Sequence, residues 1–141
     1  MTRLRYEDPP RTVYLWLDGS VGTTHLDFGT VDLAPGEAPP EHSHAAAEEV
    51  MWVHRGCGIV RIDGQEFPVE EGMVVFAPPG VLHQFVNTGD EMMTIAFTFS
   101  PSATEAQFRL RKEGVAETEL PAMLPTPGTL AVPMVQEKDK D

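Results

Sequence analysis

Four side chains in this sequence, His42, His44, Glu49 and His83, have the donor chemistry of a metal site. Three neutral imidazoles and one carboxylate make a mixed nitrogen and oxygen set. Such a set suits a divalent first-row metal better than a thiolate-seeking ion or an all-oxygen calcium cage. His42 and His44 are two residues apart, so on an extended strand both rings point to one face. Glu49 stands next to the strand-like run Val50 to Val53, and His83 follows the turn signal Pro78-Pro79-Gly80. No local element spans the interval from Glu49 to His83. The fold has to carry the fourth donor across to the other three, and a small closed barrel does this.

The elements that must position these residues read as short strands. The polar segment 1–11 contains Pro9-Pro10 and is expected to be an N-terminal arm or edge segment rather than core. Val13 to Leu17 is the first predicted strand, and a second extended stretch runs from His25 to Leu33. Val50 to Val53 follows the histidines and ends at Gly56, while Asp63-Gly64 between two strand-like runs is the strongest hairpin signal in the chain. Met73 to Ala77, the segment from His83 and the run Met92 to Ser100 complete a series of strands spaced roughly ten residues apart. That series describes an antiparallel barrel or sandwich over residues 12–100. In 101–141, Ser102 and Glu105 form a capping-box pattern that predicts a short helix to about Gly114. A Pro-rich tail follows it, with the last residues expected to be disordered.

Written with their spacings, the two histidine-bearing stretches are G-x5-H-x-H-x4-E-x6-G, on Gly36, His42, His44, Glu49 and Gly56, and G-x5-P-x-G-x2-H-x3-N, on Gly72, Pro78, Gly80, His83 and Asn87. They resemble the paired motifs of the cupin superfamily and match at every defined position. The resemblance implies an all-β, double-stranded β-helix barrel of two antiparallel sheets, with a metal near its middle and an open end for substrate. It carries the ligand roles onto His42, His44, Glu49 and His83. Glu48 also falls within range of His44, but the six residues between Glu49 and Gly56 select Glu49. If Glu49 faces the metal, alternation puts Met51 and Val53 in the pocket and turns Trp52 and His54 outward. Phe85 shares the parity of His83, so Phe85 and Phe97 are expected in the same wall. Met73, Met92, Met93 and Phe99 are further candidates for it.

Composition bounds the rest. At 141 residues, with 41% hydrophobic content, the chain can bury one core without disulfides. Its single cysteine, Cys57, excludes a multi-thiolate site within one chain and is expected to be a small buried thiol. The net charge of −12 argues against nucleic acid as a partner. No apolar run reaches membrane-spanning length, and the N-terminus lacks a signal-peptide core, so a cytoplasmic location is expected. His25 and His54 read as surface or interface residues. Asn87 is expected to bond turn backbone.

The expected function is that of a metal-dependent enzyme acting on a small, largely apolar or aromatic, oxygen-bearing molecule. Iron or copper would make it a dioxygenase, the first expectation; manganese, nickel or zinc would make it a Lewis-acid isomerase, decarboxylase or lyase. A non-catalytic small-ligand binder is the alternative from another class. Glu49 is the candidate catalytic base. Tyr6 and Tyr14 would reach the pocket only if the arm folded over it. Arg61 is the one arginine inside the predicted barrel strands, with its face undetermined. A homodimer is expected, using the outward Trp52 face, the arm and the tail.

Overall fold

β-branched and aromatic residues in alternation dominate the central segments, and they form strands wherever turn residues release them. The computed structural model describes residues 3–8, 11–19, 22–102 and 115–117. Within these, the strands are β1 (Arg3–Asp8), β2 (Arg11–Leu17), β3 (Asp27–Leu33), β4 (Glu48–Arg55), β5 (Cys57–Ile62), β6 (Gln65–Glu70), β7 (Val74–Ala77), β8 (His83–Val86), β9 (Met93–Ser100) and β10 (Val115–Glu117). Every pairing among them is antiparallel. They build a seven-stranded sheet, in the order β10-β1-β2-β3-β9-β4-β7, and a three-stranded sheet, β6-β5-β8. The described residues contain no α-helix. The helix expected after Ser102 lies outside them.

The two sheets close on one core. Val53 and Met93 are fully buried, as is Leu33, and they share a cluster with Val60, Val69 and Phe85 from the smaller sheet. Each such side chain contributes about 1.5–3 kcal/mol on burial. Register shows how the large sheet aims its inner face. Met51 lies opposite Phe97, which lies opposite Gly29, which lies opposite Leu15. At Gly29 the missing side chain is what the packing requires: a Cβ would overlap the Phe97 ring and stand 2.7 Å from the Tyr14 carbonyl oxygen.

Asp63 and Gly64 both have positive φ, 48° and 77°, so the predicted hairpin closes in the twist-matched form that joins β5 to β6. The N-terminal segment departs from expectation. β1 pairs with β2 from Leu4↔Leu15 to Asp8↔Arg11, and Tyr6, opposite Val13, is buried in the core. The Pro9-Pro10 break suggested an arm, but strand β1 returns along β2 and buries one of its faces.

Candidate metal centre

Each of the four donors reaches the site by a different local device. Glu49 is the second residue of β4, whose burial alternates so that Glu49, Met51 and Val53 face inward and Glu48 and Val50 face solvent. His83 opens β8 in the opposite sheet and is 2% exposed. Gly80, with φ of 78°, turns the chain into that strand and donates its N–H to the His44 carbonyl at 2.8 Å. His42 and His44 lie on the connection between β3 and β4, not on a regular strand. A two-way backbone bridge anchors this connection, His42 N–H to the His83 carbonyl at 3.1 Å and His83 N–H to the His42 carbonyl at 2.8 Å. Gln84 adds a bond to the Pro39 carbonyl at 2.6 Å. Asn87, fully buried, donates to the carbonyls of Leu33 and Glu91, so its role is to fix turn backbone as expected.

The result is convergence. One ligand atom from each of His42, His44, Glu49 and His83 lies within 4.8 Å of the other three. The ring centroids of His42 and His83 are 4.5 Å apart, and His44 packs edge-on against Phe99 at 4.5 Å. Nδ1 of His42 lies 3.1 Å from the Pro40 carbonyl, and Nδ1 of His83 lies 3.0 Å from that of Val81. A carbonyl only accepts, so each Nδ1 carries the proton and each Nε2 presents a lone pair when the ring is neutral. Outer bonds of this kind fix tautomer and ring orientation in metal-binding histidines.

The inner atoms are left over. Nε2 of His44, Nε2 of His83 and Oε2 of Glu49 are buried without a hydrogen-bond partner. Oε2 stands 2.8 Å from His83 Nε2 and 3.3 Å from His44 Nε2, close enough for ion pairing but not aligned as hydrogen bonds. Buried polar atoms without a hydrogen bond are costly, and three in one place, each able to donate a lone pair once deprotonated, fit a divalent cation. Electrostatics set the protonation of these groups differently. Burial drives the His42 ring down to a pKa of about 4, which keeps it neutral. Burial works to raise Glu49, but His44 and His83 outweigh it and hold the carboxyl below its ordinary range. For His83, burial works downward and is outweighed by Glu49, so the ring holds its proton more tightly than usual.

A family model described as a cupin domain matches residues 29–99 of this chain. The chain belongs to the cupin family. Among curated relatives, this cupin is 34% identical to the polyketide synthase CurC of Streptomyces cyaneus, over 84% of this chain and 73% of the relative. It is 31% identical to the tetracenomycin polyketide synthase protein TcmJ of Streptomyces glaucescens, over 81% and 70%. Among solved structures, an RmlC-like cupin from Shewanella frigidimarina superposes with a TM-score of 0.64 at 22% identity, over 76% of this chain and 89% of that one. That last likeness concerns the fold.

Beside the four donors the cupin barrel encloses a cavity of about 360 Å³. Met51, Phe85 and Phe97 line it, together with Phe99. Val53 is not in the wall: it points inward, but deeper, and is sealed in the core. Met93 is likewise core, whereas Met73 and Met92 are exposed. Cys57 is exposed, not buried, because Gly58 and Val60 take the inward positions of β5. Arg61 also faces out, bonding Glu66 at 2.6 Å and Gln84 at 2.8 Å. His25 is exposed, and His54 packs against Trp52 with ring centroids 5.1 Å apart.

Among the wall residues that sequence reasoning left out of the site are Tyr6 and Arg11. A signal was present. Arg11, Val13 and Leu15 alternate, so once Val13 and Leu15 are read as core, Arg11 belongs to the same face.

Proposed function

We propose that this cupin is a metal-dependent enzyme acting on a small, largely apolar, oxygen-bearing substrate of the polyketide class. The observation that carries this reading is the trio of buried donor atoms without a hydrogen bond on His44, Glu49 and His83, beside an apolar cavity. His42, His44, Glu49 and His83 would hold the ion. When bound, a divalent metal there supplies Lewis acidity toward a carbonyl or enol oxygen, or, as iron or copper, activates dioxygen.

The protein's own groups favour the enol chemistry. Polyketide chains carry carbonyls on alternate carbons, and the carbon between two carbonyls is acidic. Glu49, held ionised by His44 and His83, is the carboxylate placed to accept that proton. Phe85, Phe97 and Phe99 pack the apolar body and exclude water from the reacting carbon. Tyr6 brings a phenol to the same cavity, a group useful for proton transfer but of no special use in binding dioxygen. Oxygenation is the second reading, supported by the ligand set, which serves both chemistries.

One experiment separates them. Metal content is measured on protein purified without added metal, and the protein is then loaded in turn with zinc, manganese, nickel, iron and copper. A 1,3-diketone probe, 1-phenyl-1,3-butanedione, is followed under argon by deuterium exchange at its central carbon and in air by oxygen uptake. Catalysed exchange under argon supports the enol reading. Oxygen uptake above background with iron or copper, without exchange, supports the dioxygenase. Tight probe binding with neither leaves a binding protein, and absence of any bound metal overturns the proposal.

The proposal includes a homodimer. The outer face of β4 and β7 carries Val50 opposite Phe76 and Trp52 opposite Val74, with Val50, Val74 and Phe76 all exposed. β7 is also an edge strand of its sheet. An apolar face beside an open edge is what a second copy would cover.

A further inference from the structure

The connection between β3 and β4 that carries His42 and His44 runs alongside β8. Backbone bonds tie it there at two places, by Asn87 N–H to the Glu37 carbonyl at 3.0 Å and by the paired bonds between His42 and His83. Between these anchors stand Pro39 and Pro40, which have no N–H to donate. The Gln84 side chain reaches into that interval, donating from Nε2 to the Pro39 carbonyl at 2.6 Å. Its other amide atom is committed as well. Arg61, opposite Gln84 on β5, donates from Nη1 to Oε1 at 2.8 Å, and Glu66, opposite Arg61 on β6, accepts from Arg61 Nε at 2.6 Å. A row of three side chains crosses the smaller sheet and ends on the connection.

This row has a fixed direction. A guanidinium only donates and a carbonyl only accepts, so the Gln84 amide has one orientation that satisfies both neighbours. Turned over, it would set Oε1 against the Pro39 oxygen and its NH2 against the guanidinium. Beyond Pro39 the constraint continues along the chain. The Pro40 ring locks φ, so once the peptide plane between Pro39 and Pro40 is held, a single torsion aims the Pro40 carbonyl. That carbonyl lies 3.1 Å from Nδ1 of His42 and decides which ring nitrogen carries the proton. The choice matters because a neutral imidazole in water favours the Nε2–H form, in which Nε2 has no lone pair for an ion.

We propose that Gln84, held in orientation by Arg61, is a positioning residue for the metal centre: through Pro39 and Pro40 it keeps His42 in the Nδ1–H form, with Nε2 free to ligate. This rests on the reading of His42 as a metal ligand. Neither Gln84 nor Arg61 belongs to the cavity wall, so the pair acts on the site without touching the substrate. Bonds of this outer kind set the affinity of a metal site even though they never meet the ion.

The test reads the tautomer directly. The full chain, metal-free and labelled with nitrogen-15 histidine, is examined at neutral pH by long-range proton–nitrogen correlation, with the His42 signals assigned by their loss in His42→Gln. Zinc affinity is measured in parallel by competition with a fluorescent chelator. Wild type should show His42 in the Nδ1–H form. Gln84→Met, which keeps the length but not the donor, should shift His42 toward the Nε2–H form and weaken zinc binding about tenfold, the low end of what loss of an outer partner costs. Arg61→Met should move both readouts the same way by less, about threefold in affinity, and Arg61→Lys, which still donates, should restore the wild-type values. A purely structural role for Gln84 would lower stability and leave the tautomer alone. A wild-type His42 in the Nε2–H form, or a Gln84→Met variant with wild-type tautomer and zinc affinity, would overturn the inference. If Gln84→Met does not fold, Arg61→Met decides, since its side chain is partly exposed. The two readings fail separately: a chain that binds zinc with an unchanged tautomer in the variants loses only the positioning role. A tautomer shift in a chain that binds no zinc loses only the metal centre.

Discussion

At the scale of single residues, the site rests on a division of labour within each imidazole. The Nδ1 atoms of His42 and His83 are committed to backbone carbonyls, which leaves Nε2 as the donor. Removing a ring would therefore remove a candidate ligand that is already oriented. His83→Ala should lower metal affinity by more than the roughly 10–100-fold that loss of an outer partner costs, read by competition with a fluorescent chelator. Metal binding should also depend on pH in a definite direction. His83 holds a proton above the ordinary value of 6.5 because Glu49 faces it, so in the metal-free protein that proton must leave before Nε2 can bind. Affinity should fall as pH drops through this raised pKa, with up to one proton released per ion below it, measured by calorimetry in buffers of different ionisation enthalpy. His42 contributes no such proton at neutral pH, since burial holds its pKa at about 4. It acts on stability instead: between pH 6.5 and about 4 the unfolded chain takes up a proton that the folded ring refuses, so stability falls as pH drops across that window. The motif spacing alone was enough to name these four residues. It did not indicate which ring nitrogen would point inward, because that choice is made by the carbonyls of Pro40 and Val81.

At the scale of elements, the strands from β3 to β9 were legible because β-branched runs alternate with Gly, Pro and Asp turns, and the observed bounds differ from the expected ones by a few residues at most. β1 was not legible as core. RLRYED carries four charged residues, and only its pairing with β2 reveals that Tyr6 is on a buried face. Packing between elements is equally beyond sequence. Gly29 reads as a weak point in a strand, yet it is the gap that accepts the Phe97 ring from the neighbouring β9. Gly29→Ala should cost about 1–3 kcal/mol in urea denaturation, by forcing the ring and the Tyr14 carbonyl apart. Because Phe97 is also cavity wall, the same variant should weaken binding of an aromatic probe, whereas a change in stability alone would show that the ring relaxes without entering the cavity.

For the whole molecule, the exposed face of β4 and β7 predicts the state of assembly. Light scattering should give twice the chain mass at micromolar concentration, and Val74→Lys with Phe76→Lys should give a folded monomer; a wild-type monomer would rule out the dimer. Alternation marked Trp52 as outward, and the structure supplies its neighbours Val74 and Phe76 from a different strand. By itself the sequence determined the family, the barrel and the candidate donors His42, His44, Glu49 and His83, because fixed donor types at fixed spacing and the two-residue period of strands are local properties. Only the tertiary structure decided that Val53 is core while Tyr6 and Arg11 are cavity wall. Depth inside a closed barrel depends on which strands lie opposite one another, and that is set by long-range pairing, not by any pattern within a strand.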